Sequence, residues 1–376
     1  MRAIQETCKN SSQIYELESI RGLAAFLIVF FHLPKWNPVL DIGLVNNGYL
    51  MVELFFVLSG FVIFSAYADK IDCTRDIIRF YFLRFCRLYP VHITFLFVFL
   101  AIEFAKYIAS VQFGIISPNS NPFEKNDLSA FIKHLLLISS VLPDQPLTYN
   151  YPAWSISVEF YTYLIFAAIA FLLKKNRDLI FGTFAFVSLI MLVTDLTFGF
   201  HDLLRCFSGF FIGCLTAKFS RKIKSSPPSL LSLLLFFLLI TFIHFKPERS
   251  YDSLIYFIGA ALIAALALSQ DGFLNRILAC RFLIWLGTIS YSMYMSHAAV
   301  EWFANQVIRM VLKRPEIAGA SGRLHPQLSE LETLIACMLV IAGVLLVSAL
   351  TYNFIEKPWR EKSRNFASLK LGGRIA

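Results

Sequence analysis

Charge is what this sequence lacks most. Only 16% of its 376 residues are Asp, Glu, Lys or Arg, against about 25% in an average soluble domain. Hydrophobic residues make up 57%, and the mean hydropathy is +0.64. A soluble globular protein is excluded. Cysteine is sparse: seven residues lie at 8, 73, 86, 206, 214, 280 and 337, with no Cys-x-x-Cys pair and none in the segments read below as external. That distribution signals neither a disulfide framework nor a zinc site, and no metal is expected. Internal repeats, low-complexity tracts and paired broken helices are also missing, which weakens an inverted-repeat transporter reading. The first apolar run is followed by no small-residue cleavage site, so it is expected to remain as a retained span.

What is present are apolar blocks long enough to cross a bilayer. Hydropathy places ten candidate helices at about 17–33, 48–68, 88–110, 152–173, 179–199, 203–219, 229–245, 253–269, 282–303 and 333–355. The expected fold is an all-α polytopic transmembrane bundle of about ten spans. It divides into an N-terminal segment 1–16, a membrane domain 17–356 and a basic tail 357–376. The net charge of +9 comes from 34 Lys and Arg against 25 Asp and Glu, and these cations are sorted by side. With the N-terminus in the cytoplasm, 22 flank the spans inside and nine lie outside, so the positive-inside rule puts both termini in the cytoplasm. The basic balance is topology facing membrane lipids, and nucleic acid is not an expected partner. Two external segments are long, 111–151 and 304–332. The apolar run 135–142 inside the first is too short to span.

Ionisable groups inside spans are functional candidates, because a charge near the bilayer centre costs about 2.5–3.5 kcal/mol even on a lenient scale. In the first span, SIRGLAAFLIVFFH, Arg21 and His32 are eleven residues apart. That separation is about 20° from alignment and about 16 Å along the axis, so they share a face at two depths. The plainer reading has Arg21 snorkelling to the headgroups and His32 ending the helix before Pro34. Glu53 enters the second span at the depth of His32. There it would fix the imidazole's tautomer and raise its basicity, or sit as a solvated carboxylate at the helix end. Glu159 lies about two turns into the fourth span, flanked by Trp154, Ser155, Tyr161 and Tyr163. The ninth span carries Ser290, Tyr291, Tyr294 and His297, although aromatics this dense are more often core or interface belt. On the cytoplasmic side, RFYFLRFCRLYP sets Arg84 and Arg87 one helical turn apart on one side. A guanidinium pair so spaced can grip phosphates or simply anchor the loop.

Taken together, the pattern resembles the acyltransferase-3 family of integral membrane acyltransferases. Five segments carry the resemblance, in order across residues 18–360: ESIRGLAAFLIVFFH, GYLMVELFFVLSGF, LRFCRLYP, WSISVEFYTYL and LGTISYSMYMSH, with FIEKPWR following. Glu18 and Ser19 stand where the family usually has Asp and Gly, and Glu53 where Asp is commoner. The resemblance implies transfer of an acyl group, usually acetyl, from cytoplasmic acyl-CoA (acetyl-CoA) to a hydroxyl. The implied acceptor is a cell-envelope glycan such as lipopolysaccharide or exopolysaccharide, and the implied location the bacterial cytoplasmic (inner) membrane. It implies a catalytic set of His32, Glu53 and Glu159, with His32 as general base or acylated relay and Glu53 orienting it. Arg21, Arg84 and Arg87 would bind the CoA, and Trp154, Tyr161, Tyr291, Tyr294 and His297 would line the substrate pocket. The sequence ends at Ala376, soon after the last span, without the extracytoplasmic domain some members carry. That favours the expectation of a lipid-linked or membrane-apposed acceptor. Two other readings use the same residues: a transporter or flippase with an intramembrane charged pathway, and acylation of a small molecule. A transporter works without acyl-CoA, whereas either transferase needs it.

Overall fold

The computed structural model describes residues 14–115, 117–246, 248–269, 272–318, 322 and 324–372. Expectations for residues 1–13, for Arg323 and for 373–376 lie outside the described residues. The described chain is 76% helical. Its helices of eight residues or more are α1 Tyr15–His32, α2 Met51–Tyr67, α3 Thr74–Phe113, α4 Leu128–Leu135, α5 Trp154–Leu172, α6 Arg177–Val193, α7 His201–Ser220, α8 Ser229–Phe245, α9 Leu254–Leu268, α10 Arg281–Thr288, α11 Ser290–Leu312, α12 Glu330–Thr351 and α13 Lys357–Phe366. A short antiparallel pair, β1 Glu316–Ala318 and β2 Leu324–Pro326, sets Ile317 opposite His325.

Six stretches are long and apolar enough to cross a membrane: Gly48–Tyr67, Thr74–Phe113, Tyr151–Leu172, His201–Ser220, Arg249–Leu268 and Glu330–Leu371. Six of the ten expected spans therefore meet the requirement of length and hydropathy, and the protein is an all-helical integral membrane protein. The other four expected spans are helical but weaker candidates. The first, α1, carries Glu16, Glu18 and Arg21, while α6 and α8 have 17 residues each. The ninth is two helices, α10 and α11, broken at Ile289. The Ser290 hydroxyl donates to the Gly287 carbonyl at 2.7 Å, so the break is satisfied by a side chain.

The third span begins earlier than hydropathy indicates. Thr74–Phe113 is one 40-residue helix, so Arg79, Arg84 and Arg87 stand on a rigid rod and not in a loop. Its start is fixed by a capping box in which Asp76 accepts from the Cys73 main-chain N–H at 3.2 Å. Its end is Gly114, at φ +66°.

Close helix approach in this bundle is made by glycine. A Cβ at Gly60 of α2 would strike the Phe210 carbonyl of α7, and one at Gly213 the Val57 carbonyl of α2. Gly209-x-x-x-Gly213 is thus a small-residue seam that lets two backbones touch. Gly22 and Gly287 do the same for α1 and α10. Beside the first seam, Phe166, Phe181 and Phe211 stack in series, with ring centroids 5.4 and 5.2 Å apart.

The two external segments meet each other. Asn119 donates to the Leu324 carbonyl at 3.0 Å and accepts its N–H at 2.7 Å. The run 135–142 does not continue as a helix, since α4 stops at Leu135 and buried Leu137 adopts φ +56°.

Candidate active site

A cleft of about 740 Å³, including its open mouth, lies between α1, α2, α3, α5 and α11. Along α2 its wall runs from Val52 to Ile63, a rise of about 16 Å. Arg21, Arg84 and Arg87 gather at one end, called inner after the cytoplasmic side expected from the charge distribution of the sequence. Ser155 and Tyr294 stand at its outer end.

The inner cations differ in how firmly they are held. Arg21 pairs with Glu18 at 3.1 Å. Arg84 donates to the Tyr67 hydroxyl at 2.6 Å and stacks over the Tyr67 and Phe80 rings at 5.0 and 5.7 Å, while its buried Nε has no partner. Arg87 lines the cleft, with Glu18, Glu159 and Glu356 as its carboxylate neighbours in charge.

Midway, Tyr163 donates to Glu159 Oε1 at 2.6 Å and meets the Ser59 hydroxyl at 2.7 Å. Tyr163 donates to Glu159, so Ser59 is the donor to Tyr163, and the three form a directed chain from α2 to α5. Farther out, Tyr294 donates to the Pro152 carbonyl at 2.8 Å, and Ser155 lies 2.8 Å from the same hydroxyl. The Tyr291 hydroxyl donates to the Leu88 carbonyl at 2.5 Å.

Beyond Tyr294 the histidines begin. The His297 ring lies 5.8 Å from Tyr294 and 4.9 Å from His32, and His32 in turn lies 5.1 Å from Tyr151. His32 Nδ1 is 3.0 Å from the Ile28 carbonyl. That contact holds the proton on Nδ1 and so puts the ring's lone pair on Nε2. His297 is fully buried, with Nδ1 3.3 Å from the Met293 carbonyl and Nε2 without a hydrogen-bond partner.

A family model described as an acyltransferase domain matches residues 14–353, from the start of α1 through the end of α12. This chain belongs to the acyltransferase-3 family. Within it, the chain is 26% identical to the putative peptidoglycan O-acetyltransferase YrhL of Bacillus subtilis over 93% of its own length and 56% of that protein's. To the O-acetyltransferase OatA of Staphylococcus aureus it is 26% identical, over 96% of this chain and 60% of OatA. The acyltransferase MdmB of Streptomyces mycarofaciens is 30% identical over 40% of this chain and 37% of its own. The chain thus spans less than two thirds of the length of these relatives. No solved structure matches it.

Of the residues singled out in this acyltransferase-3 sequence, the cleft gathers Arg21, Arg84, Arg87, Glu159, Tyr291 and Tyr294. His32 and His297 pack together just outside that lining. Glu53 goes elsewhere: it is 3% exposed and its Oε1 accepts Arg205 Nε at 2.7 Å, while the guanidinium sits 4.4 Å over the Trp154 ring. Its observed charge partner is an arginine of α7, and the acceptor at His32 Nδ1 is a main-chain oxygen. Tyr161 turns to the external segment and donates to the Leu136 carbonyl at 3.2 Å. The tyrosine that meets Glu159 is Tyr163, and helical spacing carries the signal for it, since i+4 faces i and i+2 does not. Arg205 had a signal too: it is one of two cations within the sixth expected span, the other being Lys218 at the opposite end, and a cation inside a span needs a carboxylate.

Proposed function

We propose that this protein is a membrane O-acyltransferase that moves an acyl group, acetyl by preference, from cytoplasmic acetyl-CoA to a hydroxyl of a cell-envelope glycan. The observation that carries the reading is a cleft with guanidiniums at one end and, just beyond its other end, a pair of packed imidazoles. CoA has the matching polarity. Its phosphates suit the arginines, and its pantetheine arm, comparable in length to half a bilayer, would bring the thioester up past Glu159 and Tyr163.

At the outer end, His32 Nε2 takes the proton of the acceptor hydroxyl as that oxygen attacks the thioester carbonyl. The C–O bond forms, the C–S bond breaks, and the imidazolium returns its proton to the leaving thiolate. The same lone pair serves a relay in which acyl-His32 forms first and is then attacked. The Ile28 carbonyl keeps that lone pair on Nε2 in either route. Family membership and the names of YrhL and OatA support O-acetylation. A glycan acceptor follows the name of YrhL, with lipopolysaccharide and exopolysaccharide units as further acceptors of that class. The bacterial cytoplasmic membrane is the proposed location, because the donor arrives from one side and the acceptor from the other.

The test is mass spectrometry of envelope glycans from cells with and without this protein. A gained acetyl mass that disappears in the His32→Ala variant is expected. Unaltered glycans, together with no acyl transfer from acetyl-CoA by the purified protein, would overturn the reading and favour a transporter.

A further inference from the structure

The segment after the last span, KPWREKSRNF, repeats in a second place the pattern already seen on α3. Arg360 and Arg364 are four residues apart on α13 and so share a face. Helix α12 runs through a π-helical turn, Tyr352–Glu356, directly into α13, so these arginines are carried on a continuous helix. That helix is laid against the inner part of α3. Arg79 donates to the main-chain oxygens of Ala367 and Gly372, and the Phe82 and Phe366 rings pack at 5.4 Å.

The docking brings like charges together. Arg364 has Arg360, Arg87 and Arg84 among its charged neighbours, and Glu356 has Arg87, Arg360 and Arg21. The bonds these guanidiniums make are few. Among the described residues the buried Nε atoms of Arg84 and Arg360 have no hydrogen-bond partner, and Arg360 meets Tyr352, donating to its hydroxyl at 3.4 Å and lying 5.9 Å from its ring centre. Nearby acids are already engaged: Glu18 holds Arg21, and buried Glu356 accepts the Ser292 hydroxyl at 2.7 Å. Crowded cations with unused donors at the mouth of a cleft are unfavourable unless a polyanion joins them.

We propose that Arg360 and Arg364 of α13 complete, with Arg84 and Arg87, a four-guanidinium site for a polyphosphate, the phosphorylated nucleotide end of the CoA donor. This inference rests on the donor reading of the preceding subsection and adds to it a second arginine pair from the far end of the chain. The division of labour is physical: α3 supplies the wall of the cleft, and α13 closes over the part of the ligand that stays at its mouth.

The test uses the purified full-length protein in lipid nanodiscs and measures binding of CoA and of pantetheine, which keeps the arm and lacks every phosphate. Wild type should prefer CoA. Arg360→Gln with Arg364→Gln should reduce that preference about tenfold, the effect of losing charge-assisted phosphate contacts. Arg276→Gln, at a cytoplasmic cation away from the cleft, should not. An unchanged preference in the double Gln variant overturns the site, as does a change set only by the anionic lipid content of the disc, which would mark α13 as a headgroup anchor. Should that variant fail to insert, Arg360→Lys with Arg364→Lys carries the same test with charge retained, and a preference equal to wild type again overturns it. Wild type that binds neither probe would instead refute the donor reading itself.

Discussion

The two ends of the cleft are built on opposite plans. At the inner end the functional groups are cations contributed by α1, α3 and α13, with long side chains and donors left over. At the outer end and just beyond it they are hydroxyls and imidazoles, each tied to a main-chain oxygen close at hand: Tyr294 to Pro152, His32 to Ile28, His297 to Met293. Spare donors on flexible stems suit capture of a charged group whose exact pose matters little. Groups locked to the backbone suit a step in which a fraction of an ångström decides the rate. Damage at the inner end should therefore appear in the donor concentration required, and damage at the outer end in turnover.

The largest effect should come from His32→Ala. The span keeps its apolar length and loses only the imidazole, so transfer should fall about a thousandfold while membrane insertion is unchanged. Initial rates beside a quantified membrane fraction measure this, and near-normal turnover would break the contrast between the ends. Next is Glu53→Gln, which takes from Arg205 its buried counter-charge and leaves it the more exposed Asp202 carboxylate at 3.4 Å. A loss of about 3 kcal/mol in stability is expected, read as a lowered melting temperature. Partial recovery in the double variant Glu53→Gln with Arg205→Gln would show the pair to be structural.

A smaller effect belongs to Arg84→Lys with Arg87→Lys. Lysine satisfies topology but lacks the planar fork, so the acetyl-CoA concentration for half-maximal rate should rise about tenfold with maximal rate retained. A fall in maximal rate alone would erase the distinction between the ends. The smallest concerns inner-face cations that already have a partner. Asp69 accepts Arg177 and Arg221, each at 2.5 Å, and the Arg177 hydrogen bond above all holds its carboxyl below the usual aspartate range. A depressed pKa stabilises the fold above the ordinary aspartate range and ceases to do so as pH falls through the lowered value. Asp69→Asn should thus cost about 0.5 kcal/mol at neutral pH, after screening at this half-exposed site. The difference in melting temperature should vanish in acid, and a gap that persists there would show that charge is not its cause.

Much of this was legible before any coordinates. Hydropathy placed the helices because a bilayer punishes polarity over a fixed length, and depth along a span placed Arg21 and His32 at opposite ends of one face. Arg84 and Arg87 were legible as a pair by spacing alone. Illegible were features set by neighbours distant in sequence. Glu53 was read beside His32 because both lie at one depth, but depth does not say which helix stands alongside, and α7 brings Arg205 there. Tyr161 was preferred to Tyr163 although the helical period favours the latter. The break at Ile289 leaves no trace in hydropathy, since Gly287 and Ser290 act through contacts with α1 and with the local main chain.

The glycine seam between α2 and α7 bears on which side of α2 can change. Helix α2 has one side pressed backbone to backbone against its neighbour through Gly60, Gly209 and Gly213, and another side, Phe55, Ser59 and Val62, facing the cleft. Nothing larger fits the first side, whereas the second can change volume and polarity without moving the helix. The open side can thus be reshaped with the helix held in place, while a side chain at any of the three glycines must push the two helices apart.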